Sequence, residues 1–224
     1  MKFFCVGNSL TAGYPGYSPS PDGISRGHGN YKSQYEFWIQ EEYNTHKELK
    51  ISNSTKKKQL TLEIYNKGIP GENTKGLLNR INREIKLANP APEYCIIIIG
   101  TNDLLWGNPI SKILLNIKEI HKICQRNSVK SIGGTIPPIR AEQSQKFYQQ
   151  QKKTLNEKLK TFFSMHSILY VDLFEDMCDK NRNLKEDFAI SDGIHFNVQG
   201  YKKMGELIFH QAIETILTQK FTRI

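Results

Sequence analysis

Residues 94–103 read YCIIIIGTND, a sequence that predicts a buried strand followed by a turn. The run from Tyr94 to Ile99 is continuously apolar and rich in β-branched side chains, as expected of a strand that is covered on both faces. Strands of this kind occur in parallel sheets whose faces are packed with helices. The run ends in Gly100-Thr-Asn-Asp103, which predicts a turn at the carboxyl end of the strand.

Strand-like and helix-like segments alternate along the rest of the chain. Further strands are predicted over residues 2–6, 60–65, 129–135 and 168–173, and helices over residues 33–49, 74–88, 110–124, 141–163 and 199–217. This alternation predicts an α/β fold, a three-layer flavodoxin-like sandwich whose central parallel sheet of about five strands has helices on both faces. We expect residues 1–224 to form a single domain, because no linker or repeat divides them.

The composition is that of a folded protein with a solvated, lysine-rich surface. Hydrophobic residues make up 38% and charged residues 24% of the chain, which excludes a mostly disordered protein. No apolar run approaches the roughly 20 residues of a membrane-spanning helix. The formal net charge is +9, but no helix carries arginines interleaved with aromatics, so nucleic acid is not an expected partner. An anionic polymer is the alternative reading of this charge, and its binding would weaken steeply with salt.

Cysteine and histidine usage favours a cytoplasmic protein without a metal. The four cysteines contain no Cys-x-x-Cys pair, which predicts buried, reduced thiols. The chain between Met1 and Gly7 is too short for the apolar segment of a signal peptide. Neither a metal site nor a cofactor is expected, since no metal-ligand spacing connects His46, His121, His166 and His210.

Turn segments follow the predicted strands at residues 7–9, 68–71, 100–103 and 135–138. In parallel sheets ligands bind at the carboxyl ends of the strands, so we expect these segments to converge on one edge. Ser9 lies in the first of them. Asp192 and His195 lie three positions apart in a late loop, a spacing that lets the carboxylate hold one imidazole nitrogen while the other faces a serine.

Each of these residues also has a purely structural interpretation. Ser9 could cap a helix or form a turn, and Asp192 and His195 could share an ordinary loop hydrogen bond. Gly71 could be present for its backbone dihedrals alone, and Asn102 and Asp103 could cap the segment that follows them. Their joint placement after strands favours the catalytic interpretation.

Four sequence blocks resemble those of the SGNH hydrolases, also called GDSL esterases and lipases. They occur in family order, and they are Gly7-Asn-Ser9-Leu-Thr11, Gly71 within residues 69–74, Gly100-Thr-Asn-Asp103, and Asp192-Gly-Ile-His195. The resemblance therefore spans nearly the whole chain.

The resemblance implies a role for each matched residue. Ser9 would be the nucleophile, His195 its base, and Asp192 the group that orients His195. The oxyanion hole would use the N–H groups of Ser9 and Gly71 and the side chain of Asn102. The family hydrolyses esters and thioesters and needs no metal, so the implied partner is a small-molecule ester.

Two residues depart from the family pattern. Asn8 stands where the family usually has aspartate, and its amide oxygen can accept the same hydrogen bonds. The charge beside the site is lost, however, which could alter activity. Phe196 follows the last histidine where proline is common, and we expect it to affect only loop shape or pocket lining.

The predicted function is that of a serine esterase working through an acyl-enzyme. Candidate substrate-binding residues are Tyr14, Trp106 and Pro137, although an ordered surface loop for Tyr14 and core packing for Trp106 are equally open. A carbohydrate O-acetylesterase and a short-chain acyl ester hydrolase both fit, and the polar aromatic loop at residues 14–32 favours a polar alcohol such as a sugar. The alternative is a non-catalytic binding module that retains the fold, which Asn8 alone supports.

Overall fold

The computed structural model describes residues 1–20, 27–51, 61–140 and 146–221. The strands are β1 (Lys2–Gly7), β2 (Tyr17–Ser18), β3 (His28–Gly29), β4 (Glu63–Gly68), β5 (Tyr94–Ile98), β6 (Lys130–Gly134) and β7 (Leu169–Val171). A five-stranded parallel sheet has the order β4-β1-β5-β6-β7, and β2 and β3 form a separate short antiparallel pair. This confirms the predicted α/β fold with a central parallel sheet.

Helices occupy most of the connections between strands. In the described residues the α-helices are α1 (Ser9–Ala12), α2 (Tyr35–Ile51), α3 (Thr74–Leu87), α4 (Thr101–Leu105), α5 (Ile110–Arg126), α6 (Lys146–Met165), α7 (Leu173–Met177), α8 (Val198–Ile208) and α9 (Glu214–Phe221). Single 3-10 turns cover Tyr31–Ser33 and Glu186–Phe188.

Two segments differ clearly from the sequence-based boundaries. The strand predicted at 60–65 lies at Glu63–Gly68, because it pairs with β1 along its whole length, from Lys2 opposite Glu63 to Gly7 opposite Gly68. The helix predicted at 199–217 is split by a π-helical turn, Phe209–Ile213, whose residues Phe209, Ala212 and Ile213 remain buried. The beginning of the helix predicted at 141–163 and residue 60 of the predicted strand lie outside the described residues.

The sheet separates two hydrophobic cores. Phe3 and Cys5 point to the face covered by α2 and α8, where they join a cluster that includes Tyr35 and Tyr201. Phe4 and Val6 point to the opposite face, which α3, α5 and α6 cover. Every residue of β5 is buried, so its unbroken apolar sequence matches a strand with helices on both sides.

Two glycines bring the first helix close to the strand ends. A Cβ atom on Gly7 would lie 2.4 Å from Oγ1 of Thr11 in α1, and 2.2 Å from the carbonyl oxygen of Ile98 in β5. A Cβ atom on Gly68 would lie 2.2 Å from the backbone nitrogen of Ala12. Only glycine allows this close approach of backbones. As a result α1 packs directly against the carboxyl ends of β1 and β4, and Ser9 lies at that edge of the sheet.

All four cysteines are free thiols, and Cys5, Cys95 and Cys124 are buried as expected. Cys178 is partly exposed. Among the residues that the structure describes, no helix combines the length and the apolar character needed to cross a membrane.

Candidate active site

Ser9 begins a short helix directly after β1. Asn8 is the N-cap of α1, and its side-chain oxygen accepts a hydrogen bond of 3.0 Å from the backbone N–H of Leu10. An aspartate would provide the same acceptor, so the departure at Asn8 leaves this turn intact. The helix ends at Gly13, whose φ of 91° is left-handed. Ser9 thus lies in a short helix that Asn8 caps at its N-terminus and Gly13 ends.

His195 connects Ser9 with Asp192 in one chain of hydrogen bonds. Its Nε2 lies 3.0 Å from Oγ of Ser9, and its Nδ1 lies 2.6 Å from Oδ2 of Asp192. The other oxygen of Asp192 accepts from the backbone N–H groups of Ile194, at 2.8 Å, and His195, at 2.9 Å. The structure therefore brings together the three side chains singled out from the sequence, and their catalytic roles remain a prediction.

The environment of Asp192 determines where the proton on His195 lies. Burial opposes the charge of Asp192, but hydrogen bonds from the His195 ring and from two backbone N–H groups outweigh it and lower the pKa of this carboxyl. An ionised carboxylate only accepts hydrogen bonds, so Nδ1 of His195 must be the donor. In the neutral ring Nε2 is then the acceptor that faces the Ser9 hydroxyl.

Two backbone donors lie free in the turns after β1 and β4. The N–H groups of Ser9 and Gly71 have no acceptor among the described residues. The backbone N–H of Ile69 donates to the carbonyl of Gly7 at 3.0 Å, which ties the turn containing Gly71 to the segment containing Ser9. Gly71 has a φ of 77°, so the turn itself requires glycine there.

Asn102 lies in α4, directly after β5, and its side chain contacts the turn that contains Gly71. Its side-chain nitrogen donates to the carbonyl oxygen of Glu72, the neighbour of Gly71, at 2.8 Å. A side-chain amide has two N–H groups, so one further donor is available. The structure thus joins Asn102 to the Gly71 turn through Glu72.

Asp103 forms a contact that the sequence does not reveal. The N-cap of α4 is Gly100, without a side-chain capping bond, so neither Asn102 nor Asp103 caps this helix. The carboxylate of Asp103 accepts from the backbone N–H of Thr74 at 2.8 Å and from its hydroxyl at 2.7 Å. Burial raises the pKa of Asp103, although the bonds from Thr74 oppose this shift.

Of the three candidate substrate-binding residues, Tyr14 contacts His195. Its ring lies edge-on to the His195 ring with 4.8 Å between centroids, and 45% of the residue is exposed. Trp106 is the C-cap of α4, and its backbone N–H donates to the carbonyl of Asn102 at 2.9 Å. Trp106 is 60% exposed. Pro137 is buried in the segment after β6.

Phe196 is a core residue rather than part of a pocket lining. It is 1% exposed and packs against the ring of Tyr201 with 5.6 Å between centroids. The hydroxyl of Tyr201 donates to the carbonyl oxygen of Tyr14 at 2.7 Å, so α8 supports the loop whose ring contacts His195. Sequence reasoning missed Tyr201 because its position on a predicted helix indicated only core packing.

Metal binding has no support within residues 1–20, 27–51, 61–140 and 146–221. No three histidine, cysteine, aspartate or glutamate side chains in these ranges are grouped as metal ligands would be. The side chains and backbone groups of the site are a hydroxyl, an imidazole, a carboxylate and amide donors.

The match to a family model decides the family. Residues 5–203 match the model of the GDSL-like Lipase/Acylhydrolase family, and this range contains all four sequence blocks. The chain belongs to this family. A GDSL-like lipase/acylhydrolase is a carboxylic ester hydrolase, which gives the hydrogen-bonded chain of Ser9, His195 and Asp192 its chemical context.

Solved structures share the fold of this GDSL-family chain at low sequence identity. A lipolytic protein of the G-D-S-L family from Desulfitobacterium hafniense superposes with a TM-score of 0.70 at 19% identity, covering 93% of this chain and 97% of that one. The esterase EstA from Pseudoalteromonas gives 0.68 at 18% identity, with 97% and 98% covered. A variant of Axe2, an acetyl-xylooligosaccharide esterase from Geobacillus, gives 0.71 at 16% identity, with 94% and 93% covered. No curated protein matches the chain in sequence.

Proposed function

We propose that this protein is a serine esterase in which Ser9 is the nucleophile, His195 the general base and acid, and Asp192 the group that orients His195. The observation that carries the proposal is the unbroken chain of hydrogen bonds from Oγ of Ser9 through His195 to Asp192. This geometry matches the division of labour among nucleophile, base and orienting carboxylate in serine hydrolases.

Acylation begins when Nε2 of His195 takes the proton of the Ser9 hydroxyl. Oγ of Ser9 bonds to the ester carbonyl carbon, and the carbonyl oxygen becomes an oxyanion. The N–H groups of Ser9 and Gly71 and the side-chain amide of Asn102 stabilise this charge. The ester C–O bond then breaks, His195 gives its proton to the leaving alcohol, and an acyl-Ser9 remains.

Deacylation repeats these steps with water. Nε2 of His195 takes a proton from a water molecule, whose oxygen attacks the acyl carbonyl. The second tetrahedral oxyanion uses the same three donors. When it collapses, His195 returns the proton to Oγ of Ser9 and the carboxylic acid is released. Throughout, the Asp192 carboxylate stabilises the imidazolium without taking its proton.

The alcohol part of the substrate is proposed to be polar, such as a sugar hydroxyl carrying a short acyl group. Two aromatic side chains support this proposal, since Tyr14 lies against His195 and Trp106 lies one helical turn after Asn102. Both are substantially exposed, and an exposed aromatic ring offers an apolar face together with a polar edge. A short-chain acyl ester with another alcohol uses the same site and is the second candidate.

A panel of substrates tests both the proposed esterase activity and the proposed sugar alcohol. The purified protein is assayed against p-nitrophenyl acetate, butyrate and octanoate, and against acetylated xylooligosaccharides with acetate release as the readout. Hydrolysis that falls with acyl length and is fastest on the acetylated sugar is the expected result. If the protein hydrolyses every short p-nitrophenyl ester quickly but none of the sugar acetates, the second candidate, a short-chain acyl ester hydrolase, is supported instead. No hydrolysis of any ester would favour a non-catalytic binding module.

A further inference from the structure

Arg80 lies beneath the turn that contains Gly71 and forms a forked ion pair with Glu72. Its Nε donates to one carboxylate oxygen of Glu72 and its Nη2 to the other, both at 2.6 Å. The same Nη2 donates to the carbonyl of Lys67 at 2.7 Å, and Nη1 donates to Glu84 at 2.8 Å. Arg80 is only 9% exposed, so this network lies inside the protein. Paired geometry of this kind fixes orientation as well as distance.

Glu72 links that network to two of the proposed oxyanion donors. It directly follows Gly71 in the chain, and its own carbonyl oxygen accepts the hydrogen bond from the side chain of Asn102 at 2.8 Å. The side chain of Glu72 is therefore held from below by Arg80, while its backbone holds Asn102. A displacement of Glu72 would move both the Gly71 N–H and the Asn102 amide.

The outer side of this turn is exposed, and backbone hydrogen bonds hold it. Ile69 and Gly71 are exposed, and the backbone bonds that hold them are those from Ile69 N–H to Gly7 and from Glu72 N–H to Ile69. Asp103 holds the far end of the turn through Thr74. Catalytic groups must be held within about 0.5 Å of their productive positions, and a shift of about 1 Å can cost about 100-fold in rate.

We infer that Arg80 is a positioning residue for ester hydrolysis, acting through Glu72 to place the Gly71 and Asn102 donors at the oxyanion. Arg80 touches no reacting atom in this mechanism. The inference rests on the proposed function, because it assigns Arg80 to the oxyanion hole of that site. Arg80 lies on the apolar stripe of α3 between Leu77 and Ile81, where a charged residue signals a buried ion pair.

Two variants of the same network separate positioning from general stability. Arg80→Lys keeps a positive charge but cannot span both oxygens of Glu72 and the carbonyl of Lys67. We expect kcat on p-nitrophenyl acetate to fall about 10- to 100-fold with KM within about threefold, since one oxyanion donor is worth about 10²- to 10³-fold. Glu84→Gln is the matched control, because it removes the charge of the other partner of Arg80 and leaves the Glu72 pair in place, so kcat should stay within about twofold.

A double-mutant comparison tests whether Arg80 acts through the oxyanion donors. In an Asn102→Ala background, Arg80→Lys should reduce kcat by a smaller factor than in the wild type, because one donor that it positions is already gone. Equal factors in the two backgrounds, or a folded Arg80→Lys variant with wild-type kcat, would overturn the inference. If Arg80→Lys does not fold, Glu72→Gln takes its place, and the same changes in kcat and KM are expected. In this variant the backbone carbonyl of residue 72 can still accept the hydrogen bond from Asn102. A wild-type protein that hydrolyses no ester would instead refute the proposed function itself.

Discussion

Nε2 of His195 lies 3.0 Å from Oγ of Ser9, although 186 positions separate the two residues in the chain. Backbone hydrogen bonds at Gly193 and at His195 hold the loop that makes this contact. The backbone N–H of Ile190 donates to the carbonyl of His195, and that of Arg140 donates to the carbonyl of Gly193. Contacts outside the turn from Asp192 to His195 therefore help to place His195 beside Ser9.

Replacing Ser9 by alanine should abolish hydrolysis and leave the fold unchanged. The substitution removes only the hydroxyl oxygen that attacks the ester, and removal of a triad nucleophile costs far more than a thousandfold in kcat. Ester hydrolysis and circular dichroism are the measurements, and Ser18→Ala, an exposed serine in β2, is the control. A folded Ser9→Ala protein that retains more than about a thousandth of wild-type turnover would reveal another nucleophile.

The pH dependence of the reaction should report the protonation of the base. A histidine accepts the serine proton only when neutral, so kcat/KM should fall on acidification and level off at higher pH. Asp192 does not cause this fall, because its lowered pKa keeps it ionised well below neutral pH. A flat profile from pH 5 to pH 9, with chemistry rate-limiting, would remove His195 from the mechanism.

Asp192→Asn should lower kcat by orders of magnitude at every pH. The amide can present an N–H to Nδ1 of His195 and so favour the wrong tautomer, a change that costs about 10⁴-fold in the best-studied serine triad.

Asp192→Asn should also remove a small contribution to the free energy of unfolding that depends on pH in the acid range. Because the folded-state pKa of Asp192 is lowered, its contribution is present above the unfolded-state pKa and is lost as the pH falls through the folded value. Urea unfolding of both proteins at pH 7 and pH 3 measures this difference.

Asn8→Asp should yield a folded enzyme with kcat/KM equal to or above that of the wild type. The carboxylate can accept the Leu10 N–H as the amide oxygen does at 3.0 Å, and the two side chains are nearly isosteric. Steady-state kinetics and the melting temperature of both proteins are the measurements. An inactive or unfolded variant would indicate that the amide N–H₂ of Asn8 donates an essential hydrogen bond.

His121 should make the protein sensitive to acid far from the active site. It is buried on α5 beside the rings of Phe162 and Phe163, with Nδ1 2.8 Å from the Ser131 hydroxyl, and burial lowers its pKa to about 3. An unfolded histidine titrates near 6.5, so the unfolded state gains a proton between these values and stability falls as the pH drops below about 6.5. At pH 4.5 this loss is about 2–3 kcal/mol.

His121→Gln should reduce that acid sensitivity, at the expense of some stability at neutral pH. The free energy of unfolding is measured in urea at pH 7 and pH 4.5 for both proteins. The loss between these values should be smaller in His121→Gln by about 2–3 kcal/mol. His210→Gln is the control, since the side chain of His210 is 55% exposed. Equal acid sensitivity in the wild type and His121→Gln would contradict the prediction.

Tyr201→Phe should loosen the loop that supports His195. The buried hydroxyl of Tyr201 donates to the Tyr14 carbonyl, and burial raises the pKa of this hydroxyl so that it remains a donor. Loss of the bond leaves a polar group unpaired, at a cost of about 1–3 kcal/mol in unfolding free energy. We expect kcat/KM to fall several-fold, because the Tyr14 ring packs on His195. Unchanged stability and kinetics would show that the Tyr14 loop is held by other contacts.

The sheet, and the edge at which the site lies, could be predicted from the sequence. The apolar run from Tyr94 and the alternation of strands and helices predicted a parallel sheet, and β5 is indeed buried throughout. Once the strands are parallel, segments that follow them must lie at the same edge, which brings Ser9, Gly71 and Asn102 to one side. The contact between Asp192 and His195 could also be predicted, because a spacing of three positions in a loop can place a carboxylate beside an imidazole.

The side chains that support these residues could not be predicted from the sequence. Arg80 with Glu72, Thr74 with Asp103, and Tyr14 with Tyr201 lie 8, 29 and 187 positions apart, and no periodicity of the sequence connects the members of such pairs. Phe196 was expected to change a loop or line a pocket, whereas the structure packs it into the core against Tyr201. The physical reason is common to all these residues. Periodicity reports which face of an element is buried, but the partner that a side chain meets depends on how helices pack on the sheet.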